Sequence, residues 1–328
     1  MLYVFDLSNL KNLQNPYLVA RQNMMDQTPA PAQQKKISLM IIGAQKAGTT
    51  SMKTYLGQHP ALQVHPHKEL SYFFDPSEYE KGFDAAVRKY FNNPSGSTQL
   101  IAKNAGLYVS ESGIKRLKEH NPDCKLVLIL RNPVERTYSS YLMEKNYGAI
   151  NGSFESIEAV LRKGDTNDWR YEFFIGMSLY EKHLSMIYRH FAREQVRVIR
   201  YKDFKLKPAE ICGELFEWMD LTTDFIPDTN IKYNVTHINR SPSYGKFVMQ
   251  LLKNQNPLKR IFRKLMPGKM DYKVGEMLRN INKTNKLYGK IPETMSQLLG
   301  EFYAPHNEKL GELTGIDFSD WNKQGSKK

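Results

Sequence analysis

The stretch Ile41–Leu56, "IIGAQKAGTTSMKTYL", has the residue types of a phosphate-binding loop in an unusual order. An apolar run, 38–42, meets Gly43, and a short loop leads through Gly48 into Thr49, Thr50 and Ser51. Backbone N–H groups of such a loop, together with the positive end of the following helix, form an anion site. The triphosphate loop G-x-x-x-x-G-K-[ST] carries its lysine after the second glycine. Here Thr49 holds that place, and the loop's one lysine, Lys46, sits in the middle, beside Ala47. A lysine there faces the group being transferred instead of straddling two outer phosphates.

A second anion site is written in "LILRNPVERTYSSYL". Arg131 ends an apolar run and offers a planar fork of donors suited to phosphate. Ser139 follows eight residues later, two helical turns along, where its hydroxyl completes the cradle. Two such sites on one sheet edge imply a ligand with two separated phosphate-like groups. No Asp closes the 125–130 run in the manner of a magnesium-holding carboxylate, so the expected site is metal-free.

The elements that must carry these residues alternate. Strands are expected over 38–42, near 63–64, over 125–130 and over 196–201 ("VRVIRY"), and "LIAKNAGLYV", 100–109, reads as a strand and turn. Helices are expected from Thr49 to Gln58, from Pro133 to about Asn146, from about Met177 to Phe191 and from Pro208 to about Met219, with a polar, helix-leaning stretch over 79–91. Pro133 suits a first helical position, and the helix before His59-Pro60 must stop there. The uninterrupted apolar run "KLVLIL" reads as a strand buried on both faces. This alternation gives an α/β fold: three layers, a central mostly parallel sheet, a P-loop-like phosphate-binding loop and helices on both faces.

The chain has 328 residues, 41% of them hydrophobic, and a formal net charge of +13. That length suits one large domain with appendages, and that charge suits an anionic ligand, an acidic polymer or a membrane surface. Residues 1–36 include the Pro/Gln-rich "MMDQTPAPAQQKK" and read as an extension and linker; the catalytic domain is expected over 37–328. Residues 251–290 carry eleven Lys/Arg against two Asp/Glu and read as a basic helical insertion or lid. The two cysteines, Cys124 and Cys212, are too few for a disulfide framework. Neither a signal peptide nor a membrane span is evident, so a cytoplasmic location is expected.

"GAQKAGTTSM" resembles the 5′-phosphosulfate loop, and "RNPVERTYSSY" the 3′-phosphate motif, of sulfotransferases that use 3′-phosphoadenosine 5′-phosphosulfate (PAPS). "SLYEKHLSMIYRHF", "VRVIRYKDF" and "YAPHNEKLGELTGIDFSDW" are similar to further family segments, so the resemblance spans roughly 38–321 and is weak over 251–290. It implies that Lys46 meets the oxygen bridging phosphate and sulfonate. Gly43, Ala47, Gly48, Thr49, Thr50 and Ser51 would line the 5′-phosphate, and Arg131 and Ser139 would bind the 3′-phosphate. Tyr201 would lie by the adenine, and Arg240, in "HINRSPSYGK", would stand for the family's late basic loop.

The same resemblance supplies a base. A Lys-Glu pair before an aromatic stretch marks the heparan-sulfate/saccharide branch, and "HPHKELSYFF" matches it with Lys68 and Glu69. Ser71-Tyr72 stand where the commonest form has a histidine. His65 and His67 are rival bases, with His67, Lys68 and Lys103 as candidate substrate contacts. The implied reaction is sulfuryl transfer to a hydroxyl or amine of a small-molecule, secondary-metabolite or saccharide acceptor, in a bacterial-type setting, with PAPS as co-substrate and no metal. The rival readings are an ATP-dependent P-loop kinase and an acidic-polymer or nucleic-acid binder built on 251–290. Thr49 disfavours the first, and the lack of a nucleic-acid module disfavours the second.

Overall fold

The computed structural model describes residues 35–91, 98–150, 152–230 and 289–322, with short pieces at 237–239, 241, 243–244, 247–248, 277–278, 281 and 283–287. Most of the 1–36 extension, most of the 251–290 stretch and Arg240 lie outside the described residues. The fold belongs to the unit that begins at Ile37.

Five parallel strands form the central sheet: β1 (Ile37–Gly43), β2 (Leu62–Val64), β3 (Gln99–Lys103), β4 (Lys125–Leu130) and β5 (Val196–Arg200). Their spatial order is β2-β3-β1-β4-β5. Leu126 to Leu130 are all without solvent exposure, as an apolar run free of alternation requires. Each such side chain contributes roughly 1.5–3 kcal/mol of burial. From β1 the chain passes to one side of the sheet, to β2 and β3, and from β4 to the other side, to β5. The reversal falls between β1 and β4, and in open α/β sheets ligands bind beyond the carboxyl ends of strands at such a point. A two-stranded antiparallel ladder, β6 (His237–Asn239) with β7 (Lys283–Leu287), stands apart from this sheet.

The helices are α1 (Thr49–Leu56), α2 (Pro76–Tyr79), α3 (Phe83–Tyr90), α4 (Glu111–His120), α5 (Pro133–Asn146), α6 (Glu155–Lys163), α7 (Tyr180–Tyr188), α8 (Tyr201–Leu206), α9 (Pro208–Trp218) and α10 (Glu293–Thr314). Helix α5 has the expected bounds because its start is over-determined. Pro133 stands at the first helical position, and the Asn132 side chain accepts from the N–H groups of Val134 and Glu135. Helix α1 ends two residues short of expectation. Its stop is Gly57, where a Cβ would lie 2.6 Å from the Val64 side chain, so β2 packs against the helix end itself. Beyond Tyr79, where α2 ends, the stretch 79–91 is helical only from Phe83 to Tyr90: α3 starts after Gly82, whose φ is +78°. Helix α7 starts at Tyr180, after a π turn and a 3-10 turn over Tyr171–Ser178. Cys124 and Cys212 are buried free thiols, and burial raises the pKa of both. Among the described residues no helix is long and apolar enough to cross a membrane.

Candidate active site

The site collects at the carboxyl ends of all five strands. Gly43 closes β1, the segment 65–69 follows β2, Lys103 closes β3, Arg131 follows β4 and Tyr201 follows β5. The loop after β1 is pinned at its base, where the Ala44 N–H donates to the Ile129 carbonyl at 2.8 Å. Gly43 must be glycine because a Cβ would lie 2.4 Å from the Tyr108 ring. Gly48 begins α1 with φ +81°, and a Cβ there would press on the Tyr201 ring at 2.9 Å. No side chain caps the α1 N-terminus and no acidic residue stands in its first turn. Its free N–H groups and dipole therefore face outward as an anion site.

Lys46 stands at the middle of the loop with φ +73°. Its ammonium is pushed down to about 8, first by burial and then by the charges of Lys68, Arg131 and Arg136. These cations outnumber the carboxylates beside them, Glu135 on Arg131 and Glu144 near Lys46, so the site is prepared for an anion. Arg131 makes the bridge between strands. Its Nη1 donates to the Lys46 carbonyl at 3.4 Å, its Nε donates to Glu135 at 2.9 Å, and its guanidinium lies 5.3 Å from the Tyr201 ring centroid. Tyr180 Oη in turn donates to the Arg131 carbonyl at 2.9 Å. Ser139 lies one helical turn beyond Glu135 on α5, so it shares a side of that helix with Glu135, the residue that Arg131 pairs with.

On the other side of β1, Glu69 is fixed through both carboxylate oxygens. Oε1 accepts from Lys103 Nζ at 2.7 Å and Oε2 from the Ala105 N–H at 2.9 Å. Lys103 is 1% exposed, and its Nζ also reaches Thr50 Oγ1 at 3.4 Å. Burial lowers the Lys103 pKa, and the Glu69 carboxylate offsets part of that. The pair thus couples the first turn of α1 to the segment after β2. Lys68 is exposed and points its charge into the same region.

The two histidines sit elsewhere. His65 is fully buried; its Nε2 accepts from the Lys103 N–H at 3.2 Å, and burial drives its pKa down to about 2. It is a neutral structural ring. The His67 ring packs 5.0 Å from Tyr90, and its pKa is lowered by burial, with Lys89, Lys53 and Glu78 as charged neighbours. It faces α3, and the groups acting on Lys46 do not include it.

Two supports escaped the sequence reading. Lys53, buried on α1, donates to the carbonyls of His65 at 2.9 Å and His67 at 2.7 Å and so holds the segment that carries Glu69. The signal was a lysine one turn beyond Thr49, on the helix face that also carries Met52 and Leu56. Arg136, fully buried, donates to the Phe173 and Phe174 carbonyls and to Gln45 Oε1, and Ser140 Oγ donates to the same Gln45 oxygen at 3.3 Å. Its signal was an arginine on the same α5 stripe as Thr137 and Ser140.

A family model described as the sulfotransferase domain matches residues 36–246. The chain belongs to the sulfotransferase-domain family. The chain is 31% identical over 216 residues to the bifunctional heparan sulfate N-deacetylase/N-sulfotransferase 1 of Caenorhabditis elegans, a match covering 63% of this chain and 24% of that protein. It is 24% identical over 293 residues to heparan sulfate glucosamine 3-O-sulfotransferase 6 of Homo sapiens, covering 88% of this chain and 75% of that one. The chain thus spans about a quarter of the length of the N-deacetylase/N-sulfotransferases it matches. A solved sulfotransferase structure from Alicyclobacillus acidocaldarius superposes with a TM-score of 0.59 at 20% identity, over 88% of this chain and 99% of that one, and shows the same fold.

Proposed function

We propose that the protein is a PAPS-dependent sulfotransferase acting on a hydroxyl or amine of a saccharide acceptor. The observation that carries this reading is the double cradle at the β1/β4 reversal. On one side lie the uncapped α1 N-terminus and Lys46, and on the other Arg131, tied to the Lys46 carbonyl. The residues fit the donor nucleotide. Gly48 admits no Cβ beside Tyr201, which leaves that ring and the Arg131 guanidinium as a wall for a base, and Ser139 follows Arg131 for the 3′-phosphate. When bound, PAPS supplies the sulfuryl group and leaves as adenosine 3′,5′-bisphosphate.

The chain's own groups do the rest. A remaining lone pair of the Glu69 carboxylate takes the acceptor proton, and the hydrogen bonds from Lys103 and Ala105 hold that carboxylate in place. Lys46 and the α1 N–H groups meet the negative charge that develops on the departing phosphate. The saccharide acceptor is supported by the Lys68-Glu69 pair and by the names of the relatives, which act on heparan sulfate.

Calorimetry with adenosine 3′,5′-bisphosphate tests the donor reading. Wild-type protein is expected to bind it, and the Arg131→Ala/Ser139→Ala double variant to bind at least tenfold more weakly with its fold intact by circular dichroism. Equal affinity of the two proteins, or no binding by the wild type, removes the cradle as a nucleotide site.

A further inference from the structure

Helix α5 presents a third polar residue to the loop. Arg136, Ser140 and Glu144 recur at four-residue intervals, so they line one helix face. The first two touch Gln45, the residue before Lys46. Glu144, one turn further on, is half-buried. Among the described residues its carboxylate accepts no hydrogen bond and forms no ion pair. Burial pushes its pKa up, and the nearby charges of Lys46 and then Lys68 pull it back. The charge of Lys68 also bears, as the smallest of the influences on it, on Lys103, the partner of Glu69. Of the two carboxylates, Glu69 is engaged through both oxygens, whereas Glu144 keeps its hydrogen-bonding capacity.

The half-buried Glu144 carboxylate is reached by water, which a ligand hydroxyl or ammonium can replace as hydrogen-bond donor. A negative charge beside Lys46 also works against an anionic donor nucleotide, so nucleotide binding does not account for it. We propose that Glu144 is an acceptor-binding residue: its carboxylate takes a hydrogen bond from a hydroxyl or ammonium group of the sugar, next to the atom that is sulfonated. This rests on the sulfotransferase reading above and deepens it. The acceptor would lie between Glu69 and Glu144, presenting O–H or N–H donors, and not a carboxylate, toward α5.

Steady-state kinetics on a glucosamine–glucuronate oligosaccharide with free amines, combined with calorimetry of adenosine 3′,5′-bisphosphate, tests it. Glu144→Ala should raise the oligosaccharide KM roughly tenfold or more, as loss of a charged hydrogen bond does, with kcat changing less. Glu144→Gln, which keeps one acceptor oxygen, should raise it less. Both variants should bind the bisphosphate at least as tightly as wild type, because a negative charge near Lys46 has gone. An unchanged KM, a fall in kcat alone or weakened bisphosphate binding overturns the assignment. Wild-type protein that binds the bisphosphate but never turns over the oligosaccharide overturns the saccharide reading, and this proposal with it. Wild-type protein that binds no bisphosphate overturns the donor reading first.

Discussion

At the scale of single residues, the electrostatics of Lys46 set two expectations. Its ammonium loses its proton near pH 8 in the free protein, because burial and neighbouring cations oppose the charge. The charged form is present below that value and lost above it. kcat/KM for the donor should therefore fall as pH rises through about 8, and Lys46→Ala should lose that limb while lowering kcat by roughly 10²–10³, the usual effect of removing one donor at developing charge. A pH profile of initial rates on both proteins reads the two effects together; an alkaline limb that survives in the variant would assign it to another group. Lys46, Glu69 and Arg131 were legible in the sequence because each lies in a short local pattern. Lys53 and Arg136 were not, because their roles come from partners 12 and 38 residues away.

At the scale of elements, the segment between β2 and α2 depends on α1 as much as on its own sequence. The Leu70 N–H donates to the Lys103 carbonyl at 2.7 Å and Asn104 Nδ2 to the Leu70 carbonyl at 3.0 Å, which stitches the segment to β3. Lys53 fastens the opposite edge. Replacing Lys53 with Ala leaves two shielded carbonyls without a donor, at roughly 1–3 kcal/mol each. The melting temperature should drop, and kcat should fall more than affinity for adenosine 3′,5′-bisphosphate, because Glu69 is displaced while the α1 N-terminus persists. Equal losses in both would show that α1 itself had unravelled. Helix starts were readable where a proline and a capping side chain coincide, as at Asn132-Pro133. The end of α1 was not, since the Val64 side chain against Gly57 is a contact between elements.

At the scale of the whole molecule, the C-terminal part closes the fold from behind the site. Tyr303 Oη, on α10, lies 2.9 Å from Thr137 Oγ1 and donates to the Ile175 carbonyl, so α10 braces the helix that carries Ser139 and Glu144. Arg200, the last residue of β5, donates to the Asp317 carbonyl at 2.8 Å and pairs with Asp320. Asp320→Ala should cost about 1–2 kcal/mol, since the pair is only partly shielded from water. Thermal unfolding should show a drop of a few degrees; an unchanged midpoint would make the tail a passive appendage. Alternating strands and helices announced a parallel sheet, but its order, and hence the neighbourhood of Gly43 and Arg131, arises from long-range pairing that no local pattern encodes.

If the two cradles hold the nucleotide as proposed, the contact from the Arg131 guanidinium to the Lys46 carbonyl joins them. Damage at the adenosine end would then reach the sulfonate end through a single side chain. The penalties of Lys46→Ala and Arg131→Ala will therefore overlap when the two changes are combined, and a family member that alters one grip must re-tune the other.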